Sequence, residues 1–241
     1  MIRGFHTAAT GLSTHQNHLN IVANNISNAN TVGFKAMNAS FQDLVYQSLE
    51  RVEGLPEAQV GHGVKIAKSD VVMEQGPLQP TERKLDFALT NSGQFFAVRN
   101  PESDEIRYTH AGNFIISNDS DTLYLATASG DRVLDEDGSD IELQYNEEGQ
   151  LDFSEFNLGV FHFANPYALE LAGSNSFRAP ELAGEAVAVE DPEYKQGYLE
   201  GSSVAVSDEM VKMIEASKAF SFNSRMVQVA DEVEQVVNSL R

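Results

Sequence analysis

Two groups of side chains in this sequence could hold a metal ion, and neither forms a complete site. His15 and His18 stand three residues apart on a predicted helix, within reach of one ion, but no third ligand lies nearby in sequence. The acidic stretch from Asp135 to Asp140 invites a calcium interpretation. It lacks the first of the alternating ligands and the distal glutamate of a calcium loop. We therefore expect helix-surface histidines, a solvated hairpin turn, and no metal or other cofactor.

The sequence also gives little support for catalysis or for binding to nucleic acid. It contains neither a Gly-x-Ser-x-Gly nucleophile turn nor a His-Glu-x-x-His helix, so we expect no enzyme. The 36 acidic residues exceed the 16 basic ones, giving a net charge of −20. Such a charge repels phosphate backbones and anionic membrane surfaces. There is no apolar run of 18 residues, so no membrane insertion is expected.

The ends of the chain carry apolar residues at alternating steps of four and three. This spacing predicts one helix ending near Asn25 and another beginning near Ser207, each packed lengthwise on a helix. Gly11 costs the first helix about 1 kcal/mol relative to alanine, so packing must hold that helix. The residues predicted to form an assembly interface are Leu12, Leu19, Val22, Ile26, Met210, Met213, Ile214, Phe220, Val233, Val237 and Leu240.

An apolar stripe of this kind is also typical of an ordinary helix facing its own core. The charge distribution favours assembly instead. Residues 1–50 have no net charge, residues 201–241 carry −2, and residues 51–200 therefore carry −18. Nearly neutral ends can meet in a crowded interior, whereas a strongly acidic middle belongs in solvent.

The middle of the chain has short β runs separated by turn signals such as Ser92-Gly93 and Asp137-Gly138. The predicted fold class is α+β, with long terminal helices paired as a coiled-coil-like domain and an inserted antiparallel all-β domain. We predict a discontinuous helical assembly domain in 1–35 plus 200–241. An extended linker at 36–84, with one strand near Val64–Met73, would lead to a β-rich outer domain at 85–199.

A dense motif follows the first helix, where residues 19–35 read LNIVANNISNANTVGFK. Asparagine suits helix ends and turns, and the glycine is predicted to adopt a positive φ before an aromatic anchor. The motif residues are Asn24, Asn25, Asn28, Gly33, Phe34 and Lys35. Together with QGYLEGSSV at 196–204, this motif resembles the terminal signatures of the bacterial flagellar basal-body rod and hook family.

That resemblance covers nearly the whole chain and implies a structural subunit rather than an enzyme. It implies a helical homo-oligomer, a hollow rod whose inner tube is lined by the terminal helices. Other flagellar rod and hook proteins and the flagellar export apparatus would be its partners, and export would proceed without signal cleavage. A hook or hook-associated subunit is the alternative within the family. Outside it, a secreted β-domain carbohydrate-binding module remains the alternative.

Overall fold

The computed structural model describes residues 2–48, 59–119, 122–143, 157–190 and 192–240. Within these residues the chain divides into two compact units, and the fold class is α+β. The helical unit comprises 1–27, 37–71 and 205–241, and the β unit comprises 28–36 and 72–204. Neither helix has a segment long and apolar enough to cross a bilayer, as far as the described residues go.

The helical unit contains two long helices and two short antiparallel strand pairs. Its elements are α1 (Ile2–Ser27), β1 (Met37–Asp43), β2 (Tyr46–Ser48), β3 (Gln59–Gly61), β4 (Val64–Val71) and α2 (Val206–Ser239). Strand β1 pairs with β4, and β2 pairs with β3. Helix α1 packs against α2, β4 and β1. The two terminal helices are thus confirmed, whereas their lengthwise coiled-coil packing stays a prediction.

The two helices run antiparallel. Asn25 of α1 lies opposite Glu209 of α2, and Gly11 of α1 lies opposite Asn223 of α2. From the first pair to the second, the chain moves back fourteen residues on α1 (25 − 11) and forward fourteen residues on α2 (223 − 209). Because glycine has no β-carbon, the Asn223 side chain can lie against the backbone of Gly11; a β-carbon there would stand 2.9 Å from Asn223 Oδ1. This approach is the packing that compensates for glycine within a helix.

The pairing of facing residues on the two antiparallel helices also shows that α2 extends past the start of α1. With Asn25 opposite Glu209, Ile2 falls opposite Glu232, so 233–239 continue for roughly 10 Å beyond it at 1.5 Å per residue. Residues 231–240 are all exposed, in agreement with this overhang.

Residues predicted to form an extended linker, 36–84, hold five of the strands that the described residues contain. Four of them lie in the helical unit, and β4 overlaps the predicted strand near Val64–Met73. One contact that attaches β4 to α1 is made by Thr14, whose buried hydroxyl donates to the Val64 carbonyl at 2.9 Å. Where the domain boundaries fall in the assembled protein stays a prediction.

The β unit is built mainly from short antiparallel strands. They are β5 (Leu78–Pro80), β6 (Phe87–Leu89), β7 (Gln94–Arg99), β8 (Ile106–Thr109), β9 (Ile115–Asp119), β10 (Thr122–Ala126), β11 (Arg132–Val133), β12 (Glu142–Leu143), β13 (Val160–His162), β14 (Glu170–Gly173), β15 (Ser176–Arg178), β16 (Val187–Ala188), β17 (Tyr194–Gln196) and β18 (Tyr198–Glu200). Most join one sheet with the path β12-β10-β11-β7-β8-β15-β14. Two further pairs, β17–β6 and β18–β5, complete the pairing.

Strand β7 is buried on both faces because alternate side chains point to opposite sides of a strand. Phe96 and Val98 belong to the main apolar core of the β unit. Phe95 faces the other way, with its ring 4.5 Å from that of His110 and 5.8 Å from that of Phe177. Most large buried side chains of the chain therefore belong to the β unit.

Candidate assembly surface and two buried polar clusters

Helix α2 exposes a long apolar surface. Met210 is 56% exposed, Val237 44% and Leu240 82%. Of the predicted interface residues, Met210, Met213, Ile214, Val233, Val237 and Leu240 are exposed, Leu12, Leu19, Ile26 and Phe220 are partly buried, and Val22 is buried. The apolar residues left exposed on α2 are the candidate assembly surface. Exposed apolar surface of this extent typically marks an interaction site.

The structure adds residues to this surface that were not among the predicted interface residues, although Met226 fits the regular spacing of the carboxyl-terminal helix. Val211, Phe222, Met226, Val229 and Val236 are each at least half exposed. Their signal in the sequence was simply that apolar residues are frequent on several sides of α2. A helix that is apolar on more than one side needs more than one partner.

A cluster of polar groups is centred on the buried side chains of Asn25 and Glu209 in the helical unit. Asn25 is completely buried, and its Nδ2 donates both to the Met37 carbonyl at 2.8 Å and to Glu209 Oε2 at 3.0 Å. Its Oδ1 accepts the Met37 amide at 3.0 Å. The other Glu209 oxygen accepts from Lys212, which also donates to Asn38. We call Asn25, Met37, Asn38, Glu209 and Lys212 the Asn25 cluster.

A second cluster lies inside the β unit around Glu200. Lys35 Nζ is 2.6 Å from Glu200 Oε1, and both side chains are almost fully buried. The same oxygen accepts the Gly76 amide at 2.7 Å, and Lys35 also donates to the Glu74 carbonyl. The buried ring of His110 completes this set, with Nδ1 3.6 Å from Glu200 Oε2. We call Lys35, Glu74, Gly76, His110 and Glu200 the Glu200 cluster.

His110 is neutral in this setting. Burial, and then the positive charge of Lys35, lower the pKa of His110 well below its ordinary value of 6.5. Within the described part of the chain, neither ring nitrogen has a hydrogen-bond partner. At 3.6 Å, Glu200 is too distant for a hydrogen bond that would favour the charged ring.

The turn after α1 shows the conformation predicted from its sequence. The Phe34 amide donates to the Thr31 carbonyl, and Gly33 has a φ of +65°. Gly33 also donates its amide to the Glu200 carbonyl. The other motif residues lie nearby in sequence with different roles: Asn28 accepts from the Thr31 hydroxyl, Phe34 is partly buried, and Asn24 is exposed.

The histidines considered as metal ligands pack against an aromatic ring. The rings of His15 and His18 lie 6.0 and 5.1 Å from that of Phe41 on β1. Burial first, and the neighbouring His15 second, lower the pKa of His18. The described residues include no group of three or more potential metal ligands. The acidic stretch forms a turn closed by the Gly138 amide and the Asp135 carbonyl.

Two family models match the termini of the chain. The one described as "Flagella basal body rod protein" matches residues 5–35, and "Flagellar basal body rod FlgEFG protein C-terminal" matches residues 195–240. The matched segments include the Asn25 cluster residues Asn25, Glu209 and Lys212, and the buried pair Lys35 and Glu200. The resemblance inferred from the two motifs is thereby confirmed.

Full-length relatives agree with these matches. The flagellar basal-body rod protein FlgG of Borreliella burgdorferi is 34% identical over the whole of this chain and 99% of its own length. That of Agrobacterium fabrum is 33% identical over 98% of both chains. The flagellar hook-basal body complex protein FlhP of Bacillus subtilis is 29% identical over the full length of both. Identity at this level along the entire sequence shows that the chain belongs to the bacterial flagellar basal-body rod protein family.

Proposed function

We propose that this chain, a structural subunit of the flagellar basal-body rod, polymerises helically into a hollow shaft that transmits torque from the motor to the hook. The observation that carries the proposal is the exposed apolar surface of α2. A 34-residue helix whose apolar residues remain largely in solvent gains free energy when copies of the chain cover them. The assembly interface is proposed to include the partly buried residues of α1 as well.

The comparisons support a rod subunit and favour the distal rod over the proximal rod. Relatives named FlgG, which are distal rod proteins, match along the full length of this chain. The opening Met-Ile-Arg and the segment Asp43–Gln47 also favour the distal rod protein. The similarity to FlhP, which is named a flagellar hook-basal body complex protein, is the observation that favours a hook-associated subunit as the second candidate.

Localisation and partners follow from the same proposal. The subunit would reside in the basal body, reach it through the flagellar export apparatus without signal cleavage, and contact neighbouring rod and hook proteins. Its strong negative charge would keep the subunit soluble before assembly, because copies at −20 repel one another. The division into a helical assembly domain and a β-rich domain is part of the proposal.

The test uses a charge placed on the exposed surface of α2. Val237→Asp removes an apolar side chain that is already 44% exposed, so the monomer should keep its secondary structure and thermal stability. Burying that carboxylate in a contact between copies would cost several kcal/mol. We expect cells carrying only this variant to lack rods beyond the substituted subunit and to be non-motile.

The matched control is Asn238→Asp, which changes the charge equally at the next, exposed residue. We expect it to swim normally and to form basal bodies visible by electron microscopy. Normal motility of the Val237→Asp strain at native expression would overturn the proposed role of α2. A subunit found only beyond the hook–rod junction would favour the hook-associated alternative.

A further inference from the structure

Asn25 is the point at which the three separate chain segments of the helical unit meet. Its side chain belongs to α1, it pairs with both backbone groups of Met37 at the start of β1, and it donates to Glu209 on α2. Both amide hydrogens and the amide oxygen are used. The contacts to Glu209 and Met37 link residues that are 184 and 12 positions apart in sequence.

The partner groups leave little freedom for another arrangement. Glu209 is 4% exposed, and its second oxygen is taken by Lys212 at 2.7 Å. Lys212 in turn donates to Asn38 Oδ1 at 3.1 Å, next to the residue that Asn25 holds. The Asn25 cluster therefore closes on itself, with both carboxylate oxygens of Glu209 and both polar atoms of the Asn25 amide in hydrogen bonds.

We propose that Asn25 is the positioning residue that sets the register of α2 and β1 on α1, and thereby decides where along α1 the exposed apolar residues of the assembly surface lie. Only the statement about the assembly surface rests on the proposed function. Apolar contacts between helices carry little directional information, whereas one buried asparagine can specify register.

Shifted pairings of the two helices show why Asn25 can specify the register. Sliding α2 by seven residues in one direction would bring Ala216 opposite Asn25, leaving a buried amide without its carboxylate. Sliding it by seven residues the other way would bring His18 opposite Glu209 and would place Asn25 beyond Val206, the first residue of α2, again without its carboxylate. Ala216 is itself buried and cannot accept a hydrogen bond through its side chain. Either slip therefore leaves a buried polar group unpaired, which biases the population toward the native register.

The hydrogen bonds at position 25 require the chemistry of asparagine as well as its position. Aspartate matches asparagine in shape but has no N–H to donate, and it would set a second carboxylate against Glu209. Leucine matches it in volume and removes every hydrogen bond. Pairing Asn25→Asp with Glu209→Gln reverses the donor and the acceptor, so this double variant can rebuild the contact between the helices.

The experiment reads the register directly, because the chain contains no cysteine of its own. Gly11→Cys with Asn223→Cys places a pair across the native register, where a β-carbon on Gly11 would lie 3.0 Å from Asn223 Cγ. Gly11→Cys with Ala216→Cys, or with Ala230→Cys, reports a slip of one heptad in either direction. Both of these pairs also carry Asn223→Ala, because the Asn223 side chain would otherwise collide with the new β-carbon on residue 11. Purified monomer is oxidised mildly, and disulfide yield is measured by mass spectrometry.

With Asn25 present, we expect the native pair to crosslink and both slipped pairs to remain reduced. Asn25→Leu should lower the native yield relative to the slipped yields by roughly tenfold, the order set by one unpaired buried group. Asn25→Asp should do the same at pH 8, and adding Glu209→Gln should restore part of the native yield. The control Asn17→Leu, at an exposed position of α1, should leave every yield unchanged.

Undiminished native crosslinking in both Asn25→Leu and Asn25→Asp would overturn the proposal. If the single variants lose their helices, the double variant decides: recovered helicity with native crosslinking supports the proposal, and no recovery refutes it. A purely stabilising role would lower stability in Asn25→Leu without producing slipped crosslinks. Because the crosslinks are read on monomer, a failure of the unsubstituted chain to form rods would refute the proposed function and leave this result standing.

Discussion

Gly33 stands against the backbone of His110 so closely that a β-carbon on Gly33 would lie 2.7 Å from the His110 carbonyl carbon. The φ of Gly33 is +65°, a conformation that side chains with a β-carbon rarely adopt. Two separate physical reasons therefore require glycine at this turn, and both act within the β unit.

Gly33→Ala should consequently destabilise the β unit by more than the backbone strain alone, roughly 1–3 kcal/mol, because two backbone segments must also move apart. Gly93→Ala is the matched control, since Gly93 has a φ of +82° and open space around its position. Urea unfolding followed by tyrosine fluorescence should give a clearly larger loss for Gly33→Ala. Equal losses would show that the close approach contributes nothing.

Breaking the buried ion pair should be costly, and removing both charges should be less so. Lys35→Met leaves the Glu200 carboxylate buried without its cation, at a cost of about 3–5 kcal/mol. Lys35→Met combined with Glu200→Gln should recover much of this loss, because the Gln carbonyl can still accept the Gly76 amide. As a control, Lys68→Met removes a largely exposed partner of Asp70 and should change stability by less than about 1 kcal/mol. Additive effects of Lys35→Met and Glu200→Gln would contradict the coupling.

Acidification should destabilise the β unit through His110. Its folded pKa lies well below 6.5, so the unfolded chain binds a proton that the folded chain does not. The stability due to the neutral ring is fully present above pH 6.5 and declines as the pH falls below that value. Compared with His110→Phe, the unsubstituted protein should lose up to about 1.4 kcal/mol of unfolding free energy per pH unit in that range. Parallel pH profiles of the two proteins would contradict the neutral buried histidine.

Limited proteolysis of the monomer should begin on α2. Arg225 is exposed on α2, whose residues from 231 to 239 are all exposed, whereas Arg132 is partly buried on a β strand of the main sheet. Segments with few buried apolar contacts open most readily. Mass spectrometry after brief trypsin treatment should show cleavage after Arg225 before cleavage after Arg132. The reverse order would show that the β unit is the less stable of the two.

The local features of the fold could be predicted from the sequence. The spacing of apolar residues predicted both helices, and the glycine-aromatic pair Gly33-Phe34 predicted the turn, because helix periodicity and turn conformation depend on neighbouring residues. The relative positions of distant polar residues could not be predicted. Lys35 and Glu200 are 165 positions apart, and nothing in the composition around either residue identifies its partner.

The same limit applies to the candidate surface. An apolar stripe such as Met210–Ile214 predicts burial but does not reveal whether the partner is in the same chain. Strands β1 and β4 were missed as a pair because their side chains are mostly exposed or half-buried and carry no clear alternation. Their attachment depends on contacts such as the Thr14 hydroxyl with the Val64 carbonyl, which a linear pattern does not encode.

The unequal lengths of the two antiparallel helices have a mechanical consequence for any shaft made from this chain. Because 233–239 continue past Ile2, the end of each helix pair is stepped rather than flush. In the proposed shaft, stepped ends would overlap along their sides, as in a lap joint. Twisting such a joint loads the overlapping flanks in shear, over an area that grows with the overlap, whereas a flush joint would carry the same twist across a single small end face. Shortening α2 from its carboxyl end would thus lower torsional stiffness progressively, before it prevented the joint from forming.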